Sequence, residues 1–326
     1  MLTSKARLIL TTAALAGGCA FLAPAASAQA TRTWVSGVGD DVNPCSRTAP
    51  CKTFAGAISK TAAGGEINCL DPGGFGTVTI TKSITIDCTG TVGSILSSAT
   101  NGIVINDGTG AAVVVLRGLN INGAPPTATG LNGIRFLNGA ALTVENVFIT
   151  GFLSAAPNGS GIAFLPSGYA KLSVRNSSLV NNANGIVITP TGAGGKADVV
   201  VDNIQVTGNT LNGLVVDTTG NTGGGIRTSV NGSVFSNNNG SGVSVVVPGA
   251  TTGVNLNING STITRNLSVG VNGNGSSMNI RVSNTTIAEN SQGLGRTNGA
   301  IINSYGNNRV FNNSVDGTFS SVLPQQ

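Results

Sequence analysis

The sequence predicts an all-β solenoid with about three short strands per coil, stacked in parallel. Three observations carry this reading. The 326 residues include 48 glycines, with 40% hydrophobic, 9% charged and 4% aromatic residues, a composition too apolar for disorder and too irregular for collagen. A glycine followed by a branched apolar residue returns at Gly102-Ile103, Gly133-Ile134, Gly161-Ile162, Gly185-Ile186, Gly213-Leu214, Gly242-Val243, Gly270-Val271 and Gly293-Leu294, spaced 23 to 31 residues apart. A second series, Gly118, Asn146, Asn176, Asn203, Gly232, Gly260 and Asn284, drifts with the first, and self-similarity at such a period marks a repeat architecture.

In chain order, residues 1–28 read as a signal peptide. Lys5 and Arg7 precede an apolar run from Leu8 to Leu22, and Ala26-Ser27-Ala28 has the small-x-small pattern of a cleavage site before Gln29. The expected location is therefore extracellular, periplasmic or on the cell surface, with no membrane span after cleavage. Removing Lys5 and Arg7 leaves 15 basic residues against 12 acidic, a net charge of +3. So small a bias points away from nucleic acid. Four cysteines remain, Cys45, Cys51, Cys69 and Cys88, and an even number in an exported chain favours disulfides over metal ligation. Cys45 and Cys51 bracket a short loop and pair most simply with each other.

Residues 29–64 are expected to cap the solenoid, because an open end exposes core and unpaired strand edges. A helix is predicted over 53–62, with Thr53 as its cap, Phe54, Ala57 and Ile58 on one face, and Gly64-Gly65 as its stop. The β-helix itself spans 65–313. Two residues before the second series stand Leu116, Val144, Val174, Val201, Val230, Ile258 and Val282, and four before it Val114, Leu142, Leu172, Val199, Thr228, Leu256 and Ile280. Three residues after it come Ile121, Ile149, Leu179, Val206, Phe235, Ile263 and Ile287. Alternation of this kind over short segments is a strand signal, and these columns face one interior. Further on, Asn182, Asn209, Asn238, Asn266 and Asn290 form a column whose amides can bond between coils, a structural ladder. Ile67 and Ile86 occupy one column of successive coils, which sets Cys69 above Cys88. Stacked strands about 4.8 Å apart meet the Cα separation a disulfide needs. Residues 314–326 read as a C-terminal tail.

From about Gly65 to Asn313 the glycine, mid-repeat asparagine and asparagine-column pattern resembles the right-handed parallel β-helix of the pectin-lyase-like superfamily. The opening resembles one group of secreted bacterial β-helix proteins through Arg32-Thr33-Trp34-Val35-Ser36, Asp71-Pro72-Gly73-Gly74-Phe75-Gly76 and Ile80-Thr81-Lys82-Ser83-Ile84-Thr85-Ile86. That group has no assigned activity, so the resemblance implies a fold rather than a chemistry. The superfamily's hydrolases carry paired aspartates and a Gly-His-Gly turn, but the only adjacent acidic pair is Asp40-Asp41 and the chain contains no histidine. Its lyases use acidic calcium ligands, and no cluster of three acidic residues falls within one or two coils. Its epimerase-like Asp-Pro-x-Asp-His motif is also missing, since Asp71-Pro72 continues into Gly73.

The absence of histidine excludes Ser-His-Asp and Cys-His sites and His-ligated zinc, and neither a metal nor a cofactor is expected. The remaining charges are patterned. Just before the second series stand Arg117, Glu145, Arg175 and Asp202, and four residues earlier Lys171, Asp198 and Arg227. All lie in the outward phase, and stacking places opposite signs side by side. This reads first as a surface ionic ladder worth about 0 to 1 kcal/mol per pair, and alternatively as a saccharide groove. Another outward column, Val104, Arg135, Ala163, Val187, Val215, Ser244 and Asn272, adds Arg135 to the binding candidates and an apolar strip for weak self-association. Glycoside hydrolysis needs two carboxyl groups about 5 to 9.5 Å apart. Glu145 and Asp202 stand two coils apart, roughly 9.6 Å, with Arg175 between them, which suits a ladder better than an acid–base pair. The expected function is a secreted or surface β-helix that binds polysaccharide or cell-surface glycan without catalysis. The alternatives are a divergent lyase of acidic polysaccharide, using Lys171, Arg175 or Arg227 as base, and an adhesive module.

Overall fold

The computed structural model describes residues 29–126, 128–249 and 253–325; the predicted signal peptide lies outside them. Three sheets of 12, 9 and 10 strands surround one apolar interior. The chain visits each sheet in turn, as Val113–Arg117, Leu119–Asn122 and Asn132–Asn138 do within one coil. Each strand pairs in parallel with its equivalents on neighbouring coils, so Leu142 stacks between Val114 and Leu172. The expected solenoid with three strands per coil is thus the observed architecture.

The sequence columns are the structural columns. Leu116, Val144, Val174, Val201, Val230, Ile258 and Val282 stack in register and are fully buried. Ile121 to Ile287 do the same in the ten-stranded sheet. Burying one such side chain contributes about 1.5–3 kcal/mol, so the interior is a stack of aliphatic layers closed by aromatic pairs such as Phe136 and Phe164, 4.6 Å apart. Thr228 interrupts one column: it is 2% exposed and its hydroxyl has no partner.

The two series of the repeat have different causes. Asn146, Asn176, Asn203 and Asn284 adopt φ of 48° to 54°, and Gly118, Gly232 and Gly260 adopt 52° to 64°, so this corner requires the left-handed region that asparagine and glycine tolerate. The Gly-Ile series instead marks a close approach. A Cβ on Gly213 would lie 2.5 Å from the Gly242 carbonyl oxygen and 3.0 Å from the Phe235 ring, and Gly133, Gly161 and Gly185 are crowded in the same way by the next coil.

The asparagine column is a hydrogen-bonded ladder. Asn209 Nδ2 donates to Asn238 Oδ1 at 2.8 Å, Asn238 to Asn266 at 2.9 Å, and Asn266 to Asn290 at 2.9 Å; at Asn182 the backbone amide, not the side chain, donates to Asn209 Oδ1, at 2.9 Å. Asn313 extends the ladder by one coil. Left-handed backbone falls not on these residues but on the ones before them, Asn181, Gly208, Asn237, Arg265, Glu289 and Asn312.

The predicted helix is shorter than its signals suggest. Helix α1 runs Phe54–Lys60, with Thr53 accepting the Gly56 amide at 2.9 Å, and buries Phe54 and Ala57. It stops at Thr61, not at Gly64-Gly65, because strand pairing begins at once: Thr61–Cys69 joins the twelve-stranded sheet. The segment before the helix also adds a strand, Ala30–Val35, to that sheet. Asp41 clasps this end, accepting the Lys52 and Thr53 amides at 2.8 and 2.9 Å and the Thr53 hydroxyl at 2.7 Å. Disulfides join Cys45 to Cys51 and Cys69 to Cys88, with Cα separations of 4.6 and 4.8 Å. At the far end, Ser321–Val322 pairs with Asn303 and Ser304, and Phe319 packs against the core.

Candidate functional site

The outward side chains of the twelve-stranded sheet form three columns. One flank runs Ala141, Lys171, Asp198, Arg227, Asn255; the other runs Asp87, Arg117, Glu145, Arg175, Asp202, Asn231. Between them stand Thr143, Ser173, Val200, Ser229 and Asn257. Short side chains between long ones leave a cleft of about 580 Å³, lined by Lys171, Ser173, Arg175, Asp198, Val200 and Arg227 among others. Lys171 and Arg175 face each other across Ser173, four residues apart on one strand, or roughly 13 Å.

The expected ionic ladder forms only in part. Asp198 is gripped by Arg227, with Nε to Oδ1 at 2.7 Å and Nη2 to Oδ2 at 2.6 Å. Arg117 lies between Asp87 and Glu145, at 3.8 and 3.2 Å. Yet Arg175, although stacked between Glu145 and Asp202, makes no ion pair, and neither does Lys171 beside Asp198; among the described residues neither cation has a side-chain partner. The cleft is therefore lined by three cations, Lys171, Arg175 and Arg227, against the single carboxylate of Asp198. The alternation read from the sequence predicted cancellation of charge, whereas the contacts leave a positive surplus.

Tyr169 and Lys196 complete the cluster and were not singled out from the sequence. The Tyr169 hydroxyl donates to Asp198 Oδ2 at 2.6 Å, and Lys196 Nζ lies 5.1 Å over the Tyr169 ring. Tyr169 stands two residues before Lys171 and so shares its outward phase, which was the available signal. Burial pushes the Asp198 carboxyl up, but its bonds from Arg227 and Tyr169 outweigh this and hold it below the ordinary value. The same bond to Asp198 raises the Tyr169 hydroxyl and the Arg227 guanidinium. Arg227 thus stays protonated and is a poor base.

The other candidates lie apart from the cleft. Arg117, Glu145 and Asp202 are outside the lining, although Glu145 and Asp202 stand directly on either side of Arg175 in the flanking column; Arg135 sits on the nine-stranded sheet between Val104 and Ala163. In that sheet Ala163 is 3% exposed and Val187 and Val215 are half-buried, so the strip presents less apolar surface than the sequence suggested. Among the described residues no group of three His, Cys, Asp or Glu side chains could hold a metal ion, and no helix is long and apolar enough to cross a membrane.

No protein-family model and no curated sequence matches the chain. Solved structures do. Pectate lyase Pel9A superposes with a TM-score of 0.61 at 17% identity, covering 85% of this chain and 76% of its own. A rhamnogalacturonan lyase gives 0.54 at 12% identity, covering 81% and 82%, and XylC, solved in complex with xylose, gives 0.51 at 11%, covering 81% and 69%. At these identities the likeness is one of fold. The chain is a right-handed parallel β-helix and shares that fold with these proteins.

Proposed function

We propose that the chain is an exported or surface β-helix protein that binds an acidic polysaccharide along the cleft of the twelve-stranded sheet without cleaving it. The observation that carries this is the unpaired state of Lys171 and Arg175 on either side of the short Ser173 floor. An extended open trough with a surplus of cations suits a polymer bearing carboxylates. Two disulfides fit an oxidising compartment, and the similar structures, two lyases and a protein solved with xylose, fit a carbohydrate ligand.

Against hydrolysis, Glu145 is engaged by Arg117, and Arg175 stands between it and Asp202 in the same column, where a cation favours two ionised carboxylates over the protonated acid that hydrolysis needs. A glycan array probed with the mature protein is expected to show retention of polyuronates. An absorbance assay on polygalacturonate, pectin and alginate is expected to show no unsaturated uronide. The second reading, a divergent lyase, is favoured by Lys171 alone, an amine with no carboxylate partner at the cleft wall. Unsaturated product that disappears in Lys171→Met would establish that reading in place of ours.

A further inference from the structure

The N-terminal end of the same sheet face carries a second cleft that the proposed cleft does not use. Trp34 pairs in register with Asn68, Asn68 with Asp87, and Asp87 with Arg117. Trp34 therefore heads the column that leads, through Glu145, to Arg175. Five stacking steps separate Trp34 from Arg175, about 24 Å. Trp34 is half-buried, and it borders cavities of about 440 and 640 Å³. Arg47, Asn68, Asp87 and Thr89 line the smaller one with it.

This tryptophan is built into place. Its amide donates to the Cys45 carbonyl at 2.8 Å and its carbonyl accepts from Cys51 at 3.0 Å, so the disulfide loop is bonded to it on both sides. Arg32 lies 5.6 Å over the ring and is itself fixed by Glu66 at 3.1 Å and by Asn68 Oδ1 at 2.6 Å. What remains unused is specific. The indole N–H donates to no group among the described residues, although such donors ordinarily find partners as they become buried. Arg47, carried by the disulfide loop, is exposed and makes no ion pair or side-chain hydrogen bond there.

We propose that Trp34 and Arg47 form a distal subsite for the same polymer, with a sugar ring packed on the indole and a sugar carboxylate paired with Arg47. This deepens the polysaccharide reading and rests on it. A flat amphipathic ring offers apolar area to the C–H face of a pyranose and its N–H to a hydroxyl, while the guanidinium suits a carboxylate. Occupying both clefts with one chain makes the second contact intramolecular, so affinity should rise with chain length once the span is reached.

Trp34 is the chain's only tryptophan, so its fluorescence reads this subsite directly while calorimetry reads total binding. De-esterified oligogalacturonides would be titrated into the full mature chain, in a short form and in a form reaching ~24 Å further. The long form is expected to change Trp34 emission saturably, and the short form to bind without doing so. Trp34→Ala and, independently, the exposed-loop variant Arg47→Ala are expected to weaken the long form about tenfold and leave the short form unchanged. Long oligomers that bind by calorimetry with unaltered emission, and with equal affinity in both variants, would overturn the subsite. A long form that quenches Trp34 while Lys171→Ala/Arg175→Ala leaves its affinity intact would overturn the cleft and not the subsite. Absence of binding at every length would overturn both.

Discussion

Thr228 shows what one side chain costs a stacked core. Its hydroxyl is buried without a partner between Val199 and Leu256, and such a group forfeits its hydration for nothing. Thr228→Val keeps the shape and is expected to stabilise the chain by about 1 kcal/mol in denaturant unfolding; an unchanged or lower midpoint would mean that the hydroxyl is satisfied. The opposite case is Asn238, which accepts from Asn209 and donates to Asn266. Asn238→Ala removes the acceptor of both the Asn209 backbone and side-chain amides and one of the two donors to Asn266 Oδ1, and a loss of about 2–4 kcal/mol is expected in the same assay. The identity of the ladder residues was legible in the sequence because their spacing followed the repeat. Their backbone conformation was not, because the left-handed turn falls one residue earlier on types as different as Asn181, Gly208, Arg265 and Glu289.

Elements are held by crowding and by end contacts. The Gly-Ile series survives because the next coil passes too close for a side chain, so Gly213→Ala should cost about 1–3 kcal/mol through displacement of the Gly242 carbonyl or Phe235, read as a lowered unfolding midpoint. At the capped end, burial raises the Asp41 carboxyl, but bonds from Thr53 and Lys52 outweigh it and hold it below its ordinary 3.8. Asp198 is depressed likewise by Arg227 and Tyr169, and Asp107 chiefly by the Thr109 hydroxyl. A carboxyl depressed on folding lends stability that is complete above its unfolded value and is lost as pH falls through the folded one. Tm is therefore expected to stay flat from neutral pH to about 4 and then fall; a fall centred near pH 6 would contradict this assignment. The helix ends before Gly64-Gly65 because a local glycine signal competes with sheet pairing, and the pairing of Thr61 with Ala30 prevails.

For the whole molecule, the three-sheet coil was readable because one inward column fixes the phase of every other position on its strand. The fate of the surface charges was not. Register put Arg175 beside Glu145 and Asp202 as the sequence implied, but which neighbours close into contact depends on side-chain reach, and Glu145 turns to Arg117 instead. The result is a rod with a cationic trough, and small-angle scattering should show one elongated particle. The trough's function is tested most directly by calorimetry of the mature chain against de-esterified polygalacturonate and a neutral glucan, beside the variant Lys171→Ala/Arg175→Ala. Salt-sensitive binding of the acidic polymer alone is expected, weakened at least tenfold in the variant. Equal binding of both polymers, or acidic binding that the double substitution leaves untouched, would contradict it.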